Sequence, residues 1–292
     1  MKKYTISDKV FMMIIYVLLG GVLIITLYPL IYLVMASISA GPQYMPLYLI
    51  PKKFSLAGYE AVIQYEPIWR GYANSFINMA ISSVISLCLT MMCAYALSRP
   101  EFRFGGVVMF LCMVTQFFSG GLIPSYLLVK DLGILNSRWS LILPGAMSVY
   151  NMIIARTYIK SSIPNEIRES AQMDGCSHIR YLVSMVVPLS KSILAVLFLY
   201  YAIGDWNSYF NAMIYVGRRK ELYPLALVLR EILVQGTTEL DMYDVTELLA
   251  WEERQNVMKY ATIVVGTLPL MVMYPFIQKH FVKGVMIGSV KG

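Results

Sequence analysis

Charged side chains are scarce in this 292-residue sequence, in which aspartate, glutamate, lysine and arginine together make up 14%. A water-soluble globular protein usually carries about 25% charged residues. Cysteine and histidine are scarcer still, with four and two residues. No two cysteines form a CxxC pair, so nothing indicates a disulfide-stapled secreted module or a cysteine metal or redox site.

Apolar side chains take the place of the missing charge, at 58% of the residues and a mean hydropathy of +0.62. One soluble core cannot bury so much apolar surface, and lipid is the solvent that suits it. A helix needs about 20 mostly apolar residues to cross a bilayer. Windows of this kind cover residues 10–35, 71–98, 104–129, 139–155, 192–217 and 260–278. The sequence therefore predicts an all-α integral membrane protein with six transmembrane helices in a single domain, 1–292.

The basic residues predict the orientation in the membrane. With the N-terminus inside, the cytoplasmic segments hold 13 lysines and arginines and the outer segments hold 11. These totals barely differ, but the tight basic turn Arg99–Arg103 and the basic tails place both termini in the cytoplasm. The net charge of +7 is then a topology signal and not a sign of nucleic-acid binding. The first window is too long for the apolar region of a signal peptide.

Polar residues collect in the fifth window, where Asp205 is the only acidic residue inside a predicted span. Asn207 and Asn211 are four apart and share a helix face, beside a stripe formed by Tyr201, Asp205 and Tyr209. Aromatic rings, amides and a carboxylate suit the hydroxyl groups of a sugar, but they also suit hydrogen bonds between helices. Both interpretations, substrate lining and structural contact, stay open.

The predicted cytoplasmic segment 161–190 has the signals of two short helices. Pro164 fits a first helical turn, Gly175 fits the left-handed position that ends a helix, and Ser177 can cap a second helix that runs to Pro188. A rigid, charged, exposed element of this kind suggests docking of a partner. A solvated connecting loop is the alternative.

The spacing of this segment resembles the signature of ABC importer permease subunits, which reads Glu-Ala-Ala, three residues, Gly, nine residues, Ile-x-Leu-Pro. Here the pattern falls on Glu169-Ser170-Ala171, Gly175, Met185, Val187 and Pro188, with Ser170, Met185 and Val187 as mild departures. The segments 119–124, 206–210 and 281–292 are similar to the maltose-type second permease, most of all to its subgroup for complex or oligomeric sugars.

The resemblance implies a type I importer fold and the permease subunit of a carbohydrate importer in the cell membrane, with an oligosaccharide as the expected substrate. It implies a homologous second permease, two cytoplasmic ATPase subunits and an extracellular solute-binding protein as partners. The residues that it assigns to coupling with the ATPase are Glu166, Arg168, Glu169, Ala171, Asp174 and Gly175. Because the sequence has no GxxxxGK[ST] phosphate loop, ATP and Mg are expected on the partner ATPase, with no cofactor or metal in this chain.

Other functions leave different signals in a sequence. A self-contained secondary carrier usually shows internal repeats and ion ligands at the membrane midplane. An enzyme within the membrane would need paired histidines or carboxylates in its spans, but His178 and His280 lie at the cytoplasmic edges. An ABC permease for a non-sugar solute remains the nearest alternative. The outer loop 217–256 is either solvated or a contact for the solute-binding protein.

Overall fold

The protein is almost entirely helical in the computed structural model, which describes residues 5–39, 50–51, 53–234 and 258–275. Apart from one bridge between Ser39 and Phe54, the described residues contain no β-structure. The helices are α1 (Ile6–Ser37), α2 (Ala57–Gln64), α3 (Glu66–Ser98), α4 (Gly105–Phe117), α5 (Leu122–Asp131), α6 (Trp139–Ile142), α7 (Val149–Ser162), α8 (Asn165–Met173), α9 (His178–Tyr181), α10 (Val187–Leu189), α11 (Lys191–Trp206), α12 (Phe210–Tyr215), α13 (Leu225–Val234) and α14 (258–275). A π-helical turn, Leu182–Val186, joins α9 to α10.

The chain divides into two compact units, one made of residues 1–66 with 231–267 and the other of residues 67–230 with 268–292. In the first unit, α1 begins at a capping box, in which Thr5 and Asp8 each accept a hydrogen bond from the other's backbone amide. Its apolar side chains are exposed on all sides. A helix that is apolar all round belongs in lipid. Ser37 and Tyr59 share a hydrogen bond of 2.7 Å between their hydroxyl groups, and this bond fixes the end of α1 on α2.

In the second unit, α3 carries a row of buried polar side chains. They recur every fourth residue: Asn74, Asn78, Ser82, Ser86 and Thr90. Side chains four apart lie on one face of a helix, and most of these are small enough to let a neighbouring helix come close. The C-terminal half of α3 contributes instead to an apolar core, where Met91 and Tyr95 pack with Met152, Ile159 and Leu197.

Two helical stretches are sharply bent, one inside the third predicted window and one just before the fifth. α4 and α5 meet at an angle of 114°, and the segment from α9 to α10 meets α11 at 86°. The first break lies at Gly120-Gly121, where Gly121 has a φ of +89°, so the helix stops where the sequence places its glycines and Pro124. The second break lies at Ser190, which is fully buried.

The predicted number of spans agrees with the described residues only in part. Among them, α1 and α3 are long and apolar enough to cross a membrane, and the two bent pairs raise the number of spans to as many as four. The fourth predicted window falls on the short helices α6 and α7. The sixth window, 260–278, overlaps α14 and continues past the described residues. Residues 1–4 and 276–292 also lie outside them, so the cytoplasmic placement of both termini stays a prediction.

Candidate functional site

The segment from α8 to α10, which we call the coupling segment, has the local structure that its sequence predicts. α8 ends in a Schellman motif, in which Cys176 N donates to Ala171 O at 2.9 Å and Gly175 N donates to Gln172 O at 3.0 Å. Gly175 takes a φ of +71°, the left-handed conformation that favours glycine. The Ser177 hydroxyl then accepts from Arg180 N and caps α9. The glycine corner and the serine cap are both confirmed.

The two faces of α8 differ sharply in exposure. Glu166, Glu169, Asp174 and Gly175 are exposed. Arg168 and Ala171 are 8% and 3% exposed and lie against the protein's own core. This differs from the assignment of all six residues to one docking face, because α8 uses every third or fourth residue to attach to its own subunit. The docking role of the four exposed residues stays a prediction.

The coupling segment is held by the C-terminal end of α3. Arg168 pairs with Glu101 in the turn after α3. The Tyr95 hydroxyl lies 3.1 Å from Nδ1 of His178, and the Tyr95 ring carries the Arg99 guanidinium 4.7 Å from its centroid. Tyr181 packs its ring 6.1 Å from that of Tyr95. Both helices of the segment are therefore positioned by one end of one membrane helix.

A second feature of this unit is a cavity of about 550 Å³ where α7 begins and α11 ends. Its lining includes five residues with hydroxyl groups, which are Ser148, Tyr150, Tyr200, Tyr201 and Ser208. Asn151 and Asn211 add amides, and Asp205 adds the carboxyl group. The remaining lining residues are Leu141, Gly145 and Gly204. The wall therefore combines hydroxyl, amide and carboxyl groups with apolar surface.

Two of the lining residues are tied to α3. The Tyr201 hydroxyl lies 2.6 Å from Oγ1 of Thr90 and accepts from Ser148 N at 3.2 Å, so it joins α11, α3 and the start of α7. The half-buried Asp205 receives a hydrogen bond from Ser82, and its buried Oδ2 has no hydrogen-bond partner within the described residues.

The structure brings together three of the five residues predicted as a possible substrate path. Tyr201, Asp205 and Asn211 line the cavity. The prediction that Asn207 and Asn211 share a face is wrong, because α11 ends at Trp206 and Asn211 belongs to α12. The Asn207 side chain donates to Ile203 O on its own helix at 3.0 Å. Tyr209 is exposed, and its ring lies 5.7 Å from the Arg230 guanidinium.

Comparison with known proteins shows which family this chain belongs to. No family model matches the chain. YtcP of Bacillus subtilis (strain 168), a polygalacturonan/rhamnogalacturonan transport system permease protein, is 36% identical over 289 residues, which are 98% of this chain and 100% of YtcP. Protein LplC of the same organism is 36% identical over 276 residues, or 94% and 92% of the two chains. The crystal structure of a bacterial ABC transporter that imports the acidic polysaccharide alginate matches with a TM-score of 0.85 and 32% identity, covering 96% of this chain and 100% of that one. The chain belongs to the ABC transporter permease family.

Membership over nearly the whole length confirms the resemblance found in the sequence. The permease is a membrane-embedded transport subunit of the cell membrane, and subunits of this kind are not themselves enzymes. Within the residues that the structure describes, no group of three or more histidine, cysteine, aspartate or glutamate side chains is placed to hold a metal ion.

Sequence reasoning missed several cavity residues of the permease. Ser148, Asn151 and Tyr200 line the cavity, yet none of them belongs to the stripe predicted around Asp205. Ser148 and Asn151 were detectable as polar residues in the mostly apolar window 139–155. Their approach to Asp205 depends on how α7 packs against α11, which local sequence does not report.

The permease also has a polar clasp at the other end of α3. Arg138 donates to the amide oxygens of Asn78 and Asn74, both at 2.9 Å. Asn74 donates in turn to the backbone oxygens of Glu221 and Tyr223 at 2.8 and 3.0 Å. Burial lowers the pKa of the Arg138 guanidinium from its ordinary value. Arg219 donates to Glu221 at 2.8 Å, and this hydrogen bond lowers the pKa of the exposed Glu221 carboxyl group.

Proposed function

We propose that the permease forms one half of the translocation path of an ABC importer for a carbohydrate, in particular an oligosaccharide. The observation that carries the proposal is the match over nearly the full chain to permeases of polysaccharide transport, at 36% and 32% identity. A galactooligosaccharide permease of Bacillus subtilis (strain 168), 28% identical over 295 residues, is a further relative with a sugar substrate.

The proposed architecture is the type I importer fold, with a single transmembrane domain over residues 1–292, six spans and both termini in the cytoplasm. Within the described residues, α1, α3 and the bent pair of α4 with α5 account for three of these spans. We assign the fifth span to α11 and the sixth to α14. The segment 161–190 is then the cytoplasmic coupling loop. A homologous permease, two ATPase subunits and an extracellular solute-binding protein complete the importer.

The exposed face of the coupling segment is the proposed contact with the ATPase. Glu166, Glu169 and Asp174 present carboxylates, and Met173 adds an apolar side chain that is 90% exposed. A carboxylate can pair with a basic residue across an interface in a charge-assisted hydrogen bond. Arg168 and Ala171 act from the other side of α8 by holding it on the permease. ATP and Mg are then bound and used only by the partner.

The cavity at the end of α11 is the proposed substrate path. Tyr201 shapes its wall, while Asp205 and Asn211 offer hydrogen-bonding groups to a sugar. Asn207 and Tyr209 lie on the short turn between α11 and α12, next to this cavity in sequence. They belong to the path as residues of its rim.

Reconstitution tests the proposal. The permease is purified with the subunits that accompany it, and uptake of labelled oligosaccharides into proteoliposomes is measured with and without ATP. We expect uptake that depends on ATP and is lost in Glu169→Lys. Glu60→Lys makes the same change at an exposed position on α2 and should leave uptake intact.

Two results would contradict the proposal. Uptake by the permease alone, without ATP, would indicate a secondary carrier. ATP-driven uptake that excludes every carbohydrate but accepts another solute would support the role as an importer permease and contradict the carbohydrate substrate.

A further inference from the structure

In the cavity beside Asp205, no side chain of the described residues covers the backbone of α11 at Gly204. A Cβ atom added at Gly204 of α11 or at Gly145 before α7 would meet nothing within 4 Å. Both glycines line the cavity, whose volume of about 550 Å³ lies within the range typical of small-molecule sites. A ligand ring therefore has room to approach the α11 backbone directly.

The lining offers the contacts that a sugar ring needs. Tyr150 is 55% exposed, so part of its ring is accessible to the C–H groups of a sugar, and Tyr200 also lines the cavity. Asn151 and Asn211 can each donate and accept hydrogen bonds. Tyr201 offers less, since its hydroxyl is already bonded to Thr90 and to Ser148 N.

The charge of the lining favours neutral sugars over uronates. Asp205 supplies a carboxyl group, and none of the described residues that line the cavity is a lysine, arginine or histidine. The hydrogen bond that Asp205 receives comes from the neutral hydroxyl of Ser82, and no cation among the residues that the structure describes compensates the carboxylate. A neutral sugar can donate its hydroxyl groups here. A uronate would bring a second negative charge next to the buried Oδ2 of Asp205, and like charges repel.

Building on the carbohydrate import proposed above, we propose that this cavity is a subsite for a neutral glycosyl unit and that Asp205 disfavours a uronate in it. The names of YtcP and of the alginate transporter both refer to acidic polysaccharides. Asp205 therefore gives this permease a preference that those names do not suggest.

The selectivity test removes the charge and keeps the shape. Proteoliposomes with the complete importer take up oligosaccharides from a galactan digest or, separately, from a polygalacturonan digest of matched length. We expect the neutral sugars to enter faster, and Asp205→Asn to lower the neutral-to-uronate ratio about tenfold, which corresponds to roughly 1.4 kcal/mol. Asp131→Asn, at the exposed end of α5, makes the same change outside the cavity and should keep the wild-type ratio.

Two outcomes overturn this assignment while leaving carbohydrate import in place. One is an Asp205→Asn ratio equal to that of the wild type, and the other is a wild-type importer that prefers the uronate sugars. If the wild type imports no carbohydrate with ATP, the proposed function fails and this assignment fails with it.

Filling the cavity tests its use independently of charge. Gly204→Leu places a side chain in open space, so the protein should fold and reach the membrane while uptake of both sugar classes falls at least about tenfold. Gly106→Leu is the matched control, since a Cβ atom there also meets nothing within 4 Å and α4 does not line the cavity. Equal uptake in the two variants would show that the cavity is not on the path.

Discussion

Arg168 of α8 pairs with Glu101, a residue 67 positions earlier in the turn between α3 and α4. The Arg168 side chain is 10% exposed and the Glu101 side chain 53%. The pair therefore lies at the edge of the core, where it joins the coupling segment to the end of a membrane helix.

Breaking this pair should loosen the coupling segment. Glu101→Gln leaves the buried guanidinium of Arg168 without its carboxylate, and the half-exposed position of Glu101 suggests a cost of about 1–2 kcal/mol, between that of exposed and buried pairs. We expect a lower melting temperature of the purified complex and weaker coupling of ATP hydrolysis to uptake. The exchange Glu101→Arg with Arg168→Glu should recover part of the loss. An exchange no better than the single variants would argue against a direct pair.

Substitutions at Gly175 should separate backbone conformation from side-chain chemistry. At a φ of +71°, leucine costs roughly 1–2 kcal/mol, whereas asparagine adopts this region more readily. We expect Gly175→Leu to reach the membrane but lose ATP-driven uptake, and Gly175→Asn to keep most of it. Gly133 has a φ of +70° outside the coupling segment, so Gly133→Leu should lower stability and spare uptake. Normal uptake in Gly175→Leu would contradict the docking role.

Removing the Tyr201 hydroxyl should destabilise the permease. Tyr201→Phe leaves Thr90 Oγ1 and Ser148 N without a shared partner at a buried position, which costs about 1–3 kcal/mol. Thermal unfolding in detergent measures this loss. Tyr16→Phe on the exposed surface of α1 provides the control, since that side chain is 66% exposed. Equal melting temperatures for the two variants would mean that the Tyr201 bridge contributes nothing.

Arg138 should tolerate lysine poorly. Its two terminal nitrogens bond separately to Asn74 and Asn78, and a single ammonium group cannot reproduce this fork. We expect Arg138→Lys to cost about 1–2 kcal/mol in the free energy of unfolding, because one buried amide oxygen loses its donor. Arg103→Lys, at an exposed position, should be close to neutral. If both variants have the same melting temperature, the hydrogen bonds of Arg138 do not stabilise the packing of α3.

Two helical glycines should respond in opposite ways to alanine. At Gly71, the new Cβ would lie 3.1 Å from the Leu225 Cα and 3.2 Å from a Val228 methyl group, so α13 must shift. At Gly106, the Cβ meets nothing, and the higher helix propensity of alanine should stabilise by up to about 1 kcal/mol. Melting curves of both variants test this contrast. A gain at Gly71 as large as at Gly106 would show that α13 is not packed against α3.

Local features were predictable from the sequence because each depends on neighbouring residues alone. Gly175 and Ser177 end one helix and cap the next through their own backbone and side-chain geometry. The break at Gly120-Gly121 follows from the same kind of signal. Asp205 was found because a lone carboxyl group in an apolar window is costly unless it faces a polar site.

Other features escaped the sequence because they depend on distant partners. The inward orientation of Arg168 and Ala171 depends on Glu101 and the core beside it, which lie far from α8 in the chain. The shared face of Asn207 and Asn211 failed for a different reason. It assumed an unbroken helix through a stretch where α11 ends after Trp206.

The polar row on α3 has a consequence for how the permease is made. The hydrogen-bond partner of Thr90 is Tyr201, which is synthesised 111 residues later. The partner of Asn74 is the backbone of Tyr223, which is synthesised 149 residues later. At synthesis rates of about 5–20 residues per second, the newly inserted helix spends several seconds with these groups unpaired. Unsatisfied polar groups are costly in hydrocarbon. The newly made helix α3 must therefore remain beside the insertion machinery, or in another environment that supplies hydrogen-bond partners, until the second half of the chain has been synthesised.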